Sequence, residues 1–453
     1  MQAVVSLILS THLDLTADNL SAEEALLWHI THTWRDEIAP NHPPPDVDWT
    51  AFIELVVKNK LAVLVSDYLH AAGWHAQLAP ALAEQLDLAV AANHAKAQTL
   101  SDVLRGYFEL ANANDVQTIP LKGLWVSERI YGNQAMRPGH DLDLLTKSAD
   151  TRVCITLCEQ LGFDRFWPGL LPDAYYMRHH LHLELSLPDC WTWIEVHWAF
   201  DHPRTLLTID YDAILARTTR ADLLGATIWE PNWVDVLLSL SVHLVKHAIY
   251  LPAVLDHPKL ARILIADKRL MHALDIAELL KQHGDVVDWA LMAQVAAESG
   301  ATRILHAVLT MCQRLFDAPV PDGVLASLTD ALSAEPLPRW QRRLFEATAE
   351  HILAKAENRP QQRGWSWLLE PNWKLVFRPI RLLDYILYLF PSSNYLTRAY
   401  GKRGPLTRIR HSARAALTYL RLVWDTLWMN VRVQIKPLAP DIELPPDSKC
   451  RDC

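Results

Sequence analysis

The sequence predicts an α+β protein, a small mixed-sheet unit embedded in a mostly helical chain. Three observations predict it. Apolar residues recur at three- and four-residue spacing up to about residue 113 and again from 231 onward. Between these stretches, short alternating runs such as HDLDLLT and HHLHLELSLP are separated by Gly and Pro turns. No fixed-period repeat is evident, so a solenoid is not the default reading of the helices.

Taken in order, SAEEALLWHITHTW opens with a capping-box spacing, Ser21 to Glu24, and WTAFIELVVKNKLAVLVSDYLHAAG continues the helical pattern. AEQLDLAVAANHAKAQTLSDVLRGYFELANAN reads as one long helix ending in a loop signal at Asn112 to Asp115. VQTIPLKG then reads as a short strand entering a Gly turn, LWVSERIYG as a helix, HDLDLLT as a strand, and ADTRVCITLCEQLGF as a helix closed by Gly162. HHLHLELSLP and WTWIEVHW are two alternating runs joined by the turn-like PDC. Helices return with PNWVDVLLSLSVHLVKHAIYL. The resulting division is 1–115, an N-terminal helical region; 116–225, an α/β core; 226–355, a helical domain; and 356–453, a basic C-terminal helical segment and tail.

At 453 residues, 50% hydrophobic and 21% charged, the chain has the composition of a folded protein and the length of about three domains. The N-terminal MQAVVSLILSTHLDL lacks a basic flank and a small-residue cleavage site, and no apolar run approaches the ~20 residues of a spanning helix. The location read from this is cytoplasmic. Cysteines 154, 158, 190, 312, 450 and 453 show no disulfide-framework spacing; Cys154 and Cys158, one helical turn apart, read as core thiols. The terminal KCRDC holds a CxxC pair, but a structural zinc needs four ligands.

RPGHDLDLL carries the chemistry. In a strand Asp141 and Asp143 share one face while Leu142 and Leu144 face the core, so two carboxylates stand side by side, each disfavouring ionisation of the other unless a cation lies between them. Mg²⁺ wants such oxygen ligands, and two ions about 4 Å apart can clamp the attacking and leaving oxygens of a phosphoryl displacement. In WTWIEVHW, Glu195 lies opposite the apolar face of Ile194, Val196 and Trp198, together with Trp193 and His197. Upstream, Lys122 and Gly123 end a strand and open a helix, where backbone N–H groups and a lysine suit a phosphate; Arg137 can add a guanidinium fork.

The order LKG, helix, IYGNQAMRPGHDLDLL, helix, LGF, then IEVHW resembles the uncharacterised nucleotidyltransferase family of the polymerase-β-like superfamily, from about Asp48-Trp49 to the DWALMAQVAAESG helix near residue 300. The resemblance implies a nucleotidyltransferase core with Asp141, Asp143 and Glu195 as catalytic and metal-binding residues, Glu195 also helping to activate an acceptor hydroxyl, and Gly123 at the triphosphate turn. It implies Mg²⁺, two ions, with Mn²⁺ as a substitute, and an NTP as substrate. Two features depart from the pattern: Leu124 stands where a serine usually follows the glycine, and the Gly123 to Asp141 gap is longer than usual. Lys122 and the backbone would then do the hydroxyl's work.

His180, His182 and Glu184 alternate with leucines, as a zinc set or as a polar sheet face lining a cleft. His243 and His247 have the spacing of HExxH, but Leu244 replaces its glutamate, which argues against a metalloprotease. With Lys246 they resemble the family's helical-domain signature, facing nucleotide or acceptor, or they serve packing. From Lys374 to Lys436 there are twelve Lys/Arg and two acids, a balance of +10 in a chain of −9, so the remainder carries −19. The amphipathic 405–436 stretch suits an anionic membrane surface, RNA or the acidic remainder of the chain itself. The expected activity is metal-dependent transfer of a nucleotidyl or related phosphoryl-linked group from an NTP to a hydroxyl or phosphate; peptide, glycan or small molecule ranks ahead of RNA as acceptor. The alternative is a catalytically degenerate module binding a nucleotide, a phosphorylated peptide or RNA.

Overall fold

The computed structural model describes residues 20–35, 42–165, 173–187, 192–203, 205–333, 336–357, 389–391 and 393–435. The N-terminal 1–19 run, Cys190, the part of the basic stretch before 389 and the KCRDC tail lie outside the described residues.

Among the described residues, four α-helices precede the sheet: α1 (Ala22–Thr33), α2 (Trp49–Lys58), α3 (Ala62–Ala71) and α4 (Pro80–Ala113). The Ser21 box closes as the spacing predicts, its hydroxyl accepting from Glu24 N while the Glu24 carboxylate accepts from Ser21 N. Helix α4 has 34 residues and spans about 50 Å.

The core follows as β1 (Thr118–Pro120), α5 (Leu124–Tyr131), β2 (Asp141–Thr146), α6 (Thr151–Gln160), β3 (Asp164–Arg165), α7 (Asp173–His179), β4 (His182–Ser186) and β5 (Trp193–His197). The five strands form one sheet in the order β1-β2-β5-β4-β3. Only β2 and β5 are parallel; their register sets Asp143 against Glu195 and Leu144 against Val196. In the antiparallel β4–β5 pair, Glu184 faces Glu195 and His182 faces His197. Because strand side chains alternate, Leu142, Leu144, Leu183, Leu185, Ile194 and Val196 make one buried apolar face, packed with Cys154, Ile155 and Cys158 of α6. The other face collects the carboxylates and histidines. Cys154, Cys158 and Cys312 are buried free thiols.

Beyond α8 (Tyr211–Ala216), residues 219–230 form a hairpin, β6 (Thr219–Leu223) and β7 (Ala226–Glu230), turning through Leu224 and Gly225, both at positive φ. Sequence reading places no hairpin here and ends the α/β unit at 225, inside this turn. Strand β6 turns only Ala221 and Leu223 inward, too short an apolar pattern to stand out, and Leu-Gly is a weaker turn signal than Asn-Gly. Strand β7 lies against β1 and α4.

The helical part contains α9 (Trp233–His247), α10 (Leu260–Ala266), α11 (Leu270–His283), α12 (Trp289–Ser299), α13 (Thr302–Phe316), α14 (Asp322–Ser333) and α15 (Arg339–Ala356); α16 (Ser393–Tyr400) and α17 (Pro405–Ile435) follow. One apolar cluster runs from Leu20 to Leu353, so helices before and after the sheet share a core with it. None of the described helices is long and apolar enough to cross a membrane.

Candidate active site

Asp141 and Asp143 stand on β2 and Glu195 on β5, and one oxygen from each lies within 4.8 Å of the others. The convergence is a product of register: parallel pairing puts Asp143 opposite Glu195, and alternation brings Asp141 to the same face. The Asp143 side chain is fully buried; Asp141 and Glu195 are partly open. Lys122, in the turn after β1, places its Nζ 3.0 Å from Asp143 Oδ1 and 3.7 Å from Asp141 Oδ2. Burial disfavours the ammonium, but Asp143, Asp141 and Glu195 outweigh it and raise the Lys122 pKa above its ordinary value.

His197 Nε2 lies 3.0 Å from both Asp143 Oδ1 and Glu195 Oε2. With carboxylates on both sides, that nitrogen must carry a proton and donate. Burial opposes the charged ring, while the hydrogen bonds to Asp143 and Glu195 reverse the balance and raise the His197 pKa. His182 Nδ1 lies 3.4 Å from Glu195 Oε2 and its Nε2 3.3 Å from Glu184 Oε1. Burial alone would raise the Glu195 pKa; His182, the His197 bond and Lys122 overcome this and hold the carboxyl well below its usual range. His182, Glu195 and His197 also bring ligand atoms within 4.8 Å of one another. The Nε2 proton of His197 makes it a donor to the carboxylates rather than a ligand.

Gly123 precedes α5 with φ +59 and ψ −117, a conformation essentially reserved for glycine, and a Cβ there would stand 3.5 Å from the Asp141 carbonyl oxygen, so the turn adjoins the start of β2. A cavity of about 310 Å³ opens on the site, lined by Lys122, Glu195, His182 and His197 on the sheet side and by His243, Lys246 and His247 of α9 on the other. The α9 residues therefore share a cavity with Glu195 and Lys122, and Asp141 and Asp143 adjoin it through their contacts with Lys122. Burial, followed by the charge of Lys122 and its histidine neighbours, pushes the His243 pKa well below its ordinary value, so the ring is neutral at pH 7.

Arg137 is placed differently from a phosphate fork. Its Nε donates to Asp275 Oδ2 at 2.6 Å, and Tyr131 Oη donates to Asp275 Oδ1 at 2.9 Å, a buried pair between the strand-leading loop and α11. Arg137 also interacts with Asp141 and Asp143 through charge. Asp275 escaped sequence reading because ALDIAELL is an ordinary amphipathic helix. His272, stacked 5.1 Å from His243, and Lys60, in the electrostatic company of Arg137, Asp141 and Lys122, were also missed. No local spacing marks them; the positive φ of Lys60 is visible only in the structure.

A family model described as uncharacterised nucleotidyltransferase matches residues 45–317. The chain belongs to this family. The matched span holds the sheet, the carboxylates and α9 through α13, so the cavity lies wholly within the nucleotidyltransferase part. No curated protein and no solved structure matches the chain.

The donor set fits a hard divalent cation. Three carboxylates converge, and the buried Asp143 Oδ2 accepts no hydrogen bond among the described residues. A buried carboxylate oxygen left without a partner is costly unless a cation completes it.

Proposed function

We propose that the protein is a Mg²⁺-dependent nucleotidyltransferase that moves a nucleotidyl group from an NTP to a hydroxyl or phosphate of an acceptor. The observation that carries this reading is the meeting of Asp141, Asp143 and Glu195 on adjacent strands beside a glycine turn, in a chain of nucleotidyltransferase ancestry. Asp141, Asp143 and Glu195 would hold the metal, which supplies charge neutralisation at the phosphates and at the attacking oxygen. The Gly123 turn lets backbone N–H groups of α5 approach a phosphate without a Cβ in the way. Lys122 contributes a point charge that the carboxylates share in the resting site. Glu195, held ionised by its cationic neighbours, serves as a ligand and hydrogen-bond acceptor orienting an acceptor hydroxyl more readily than as a strong base. His243, Lys246 and His247 close the cavity from α9, where the neutral His243 imidazole and the Lys246 ammonium suit phosphate or base. Catalysis would be positioning and charge neutralisation.

Two observations favour the second reading, a binding module. Lys122 sits between the aspartates, where a cation would, and no serine follows Gly123. Incubation with Mg²⁺, mixed NTPs and panels of peptides, glycans and small molecules, read by mass spectrometry, tests the two. A new acceptor mass offset by a nucleotidyl group supports the enzyme. Calorimetric heat with an NTP and no product in any arm supports the module.

A further inference from the structure

We propose that α17 is an interfacial helix that docks the protein on an anionic lipid surface. The helix has two opposite faces. On the inner one, His411 and Ala415 are buried, the His411 ring meets Tyr400 Oη of α16 at 2.8 Å, and Ser412 Oγ donates to the Leu389 carbonyl at 2.7 Å. On the outer one, Leu406, Ile409, Leu417, Leu420 and Trp424 are each between 62 and 81% exposed. At about 100° per residue these five positions fall within an arc of about 80°, centred roughly opposite Ala415. A continuous apolar stripe facing water on a folded chain marks a surface that meets something.

The charges flanking the stripe select the partner. Arg410, Arg414 and Arg421 lie along one edge of it, and Lys402 and Arg403 precede its N-terminal end, whereas Arg408 donates to Ser393 Oγ of α16. Leucine, isoleucine and tryptophan between arginines match the acyl and headgroup layers of a bilayer, with guanidinium groups reaching phosphates from apolar stems. Nucleic acid would reward the arginines but leave the leucines in water. A spanning role is excluded for this helix by its apolar content. Each arginine near an anionic surface strengthens partitioning about fivefold, and the stripe adds a contribution that salt does not screen.

The test is flotation of the full chain with vesicles of phosphatidylcholine alone or with phosphatidylglycerol mixed in. Flotation is expected with the anionic vesicles and weakly or not at all with the neutral ones. Leu417→Glu/Leu420→Glu/Trp424→Glu should reduce it by about tenfold or more, and Arg410→Gln/Arg414→Gln/Arg421→Gln should reduce it at low salt. All six side chains leave the inner face untouched. The proposal is overturned if wild type fails to float with anionic vesicles or if neither triple variant changes flotation. It is also overturned if the apolar variant abolishes a dimer seen by light scattering while flotation persists, or if wild type binds single-stranded RNA through the arginines without floating.

Discussion

Asp143→Asn is the sharpest perturbation of the site. The substitution keeps the shape of a fully buried side chain and changes its charge. In wild type, Asp143 Oδ1 receives Lys122 Nζ and His197 Nε2, both at 3.0 Å, and the gross attraction to Lys122 at that distance is about 5 kcal/mol at an effective dielectric near 20. The asparagine oxygen still accepts both bonds, so the loss is the charge-assisted part, roughly 1–2 kcal/mol. Lys122 keeps Asp141 at 3.7 Å, and the repulsion among three clustered carboxylates falls. These effects oppose one another, and stability measured by urea unfolding should change by less than about 2 kcal/mol.

The same change removes the buried oxygen best suited to a cation. A metal present at a hundred times its dissociation constant stabilises wild type by about 2.7 kcal/mol, and the variant should lose that increment in a thermal-shift titration with Mg²⁺ and NTP. Turnover in the mass-spectrometric assay should fall by about three orders of magnitude or more. A variant that turns over at the wild-type rate, or a wild-type protein whose melting ignores Mg²⁺ and Mn²⁺ with every NTP, would refute the assignment of these carboxylates.

Three other outcomes are expected. Burial, with a smaller push from His32, drives the His29 pKa down to about 4. Below its unfolded value the unfolded chain takes the proton first, so stability falls as pH drops from about 6.5 towards 4, by ~2 kcal/mol from about pH 7.5 to pH 5, and His29→Gln should flatten that dependence in urea titrations. Asp275→Leu leaves Arg137 buried without its ion-pair partner, costing about 3–5 kcal/mol by equilibrium unfolding, and Arg137→Met in the same chain should recover most of it. Gly123→Ala meets no neighbour closer than 3.5 Å but forces φ +59 on a residue with a Cβ, costing about 1–3 kcal/mol of stability and raising the KM for NTP.

Strands and helices with clean periodicity were legible in the sequence: HDLDLLT and WTWIEVHW gave β2, β5 and the face each residue takes, and the Ser21 box and α4 formed where spacing placed them. Cross-strand register was not. That His182 would face His197 and Glu184 would face Glu195 depends on how the β4–β5 hairpin closes, and one residue of slip would have reversed every side chain. Partners supplied by distant helices were invisible for a different reason. Asp275 and His272 occupy regular positions of an amphipathic helix, and only packing of α11 on the loop before β2 and on α9 turns them into a carboxylate for Arg137 and a ring against His243.

The leucine after Gly123 carries a consequence for how an NTP would be held. Leu124 is buried in the core beside Trp125 and Val126, so the turn offers the ligand backbone N–H groups and no hydroxyl. The point charge nearest that turn, Lys122, is already engaged with both aspartates. A triphosphate must then either draw Lys122 away as a metal takes its place on the carboxylates, or lean on cations from other elements. Lys246 of α9 lines the same cavity, and Lys60 and Arg137 lie within electrostatic reach of Lys122 and Asp141. On the first route, NTP and Mg²⁺ bind with strong mutual dependence, because each removes the other's competitor. On the second, NTP binds in the absence of metal and Lys246→Met weakens it. Calorimetric titration of NTP with and without Mg²⁺ separates the routes, and the close contacts of Lys122 with Asp141 and Asp143 favour the first.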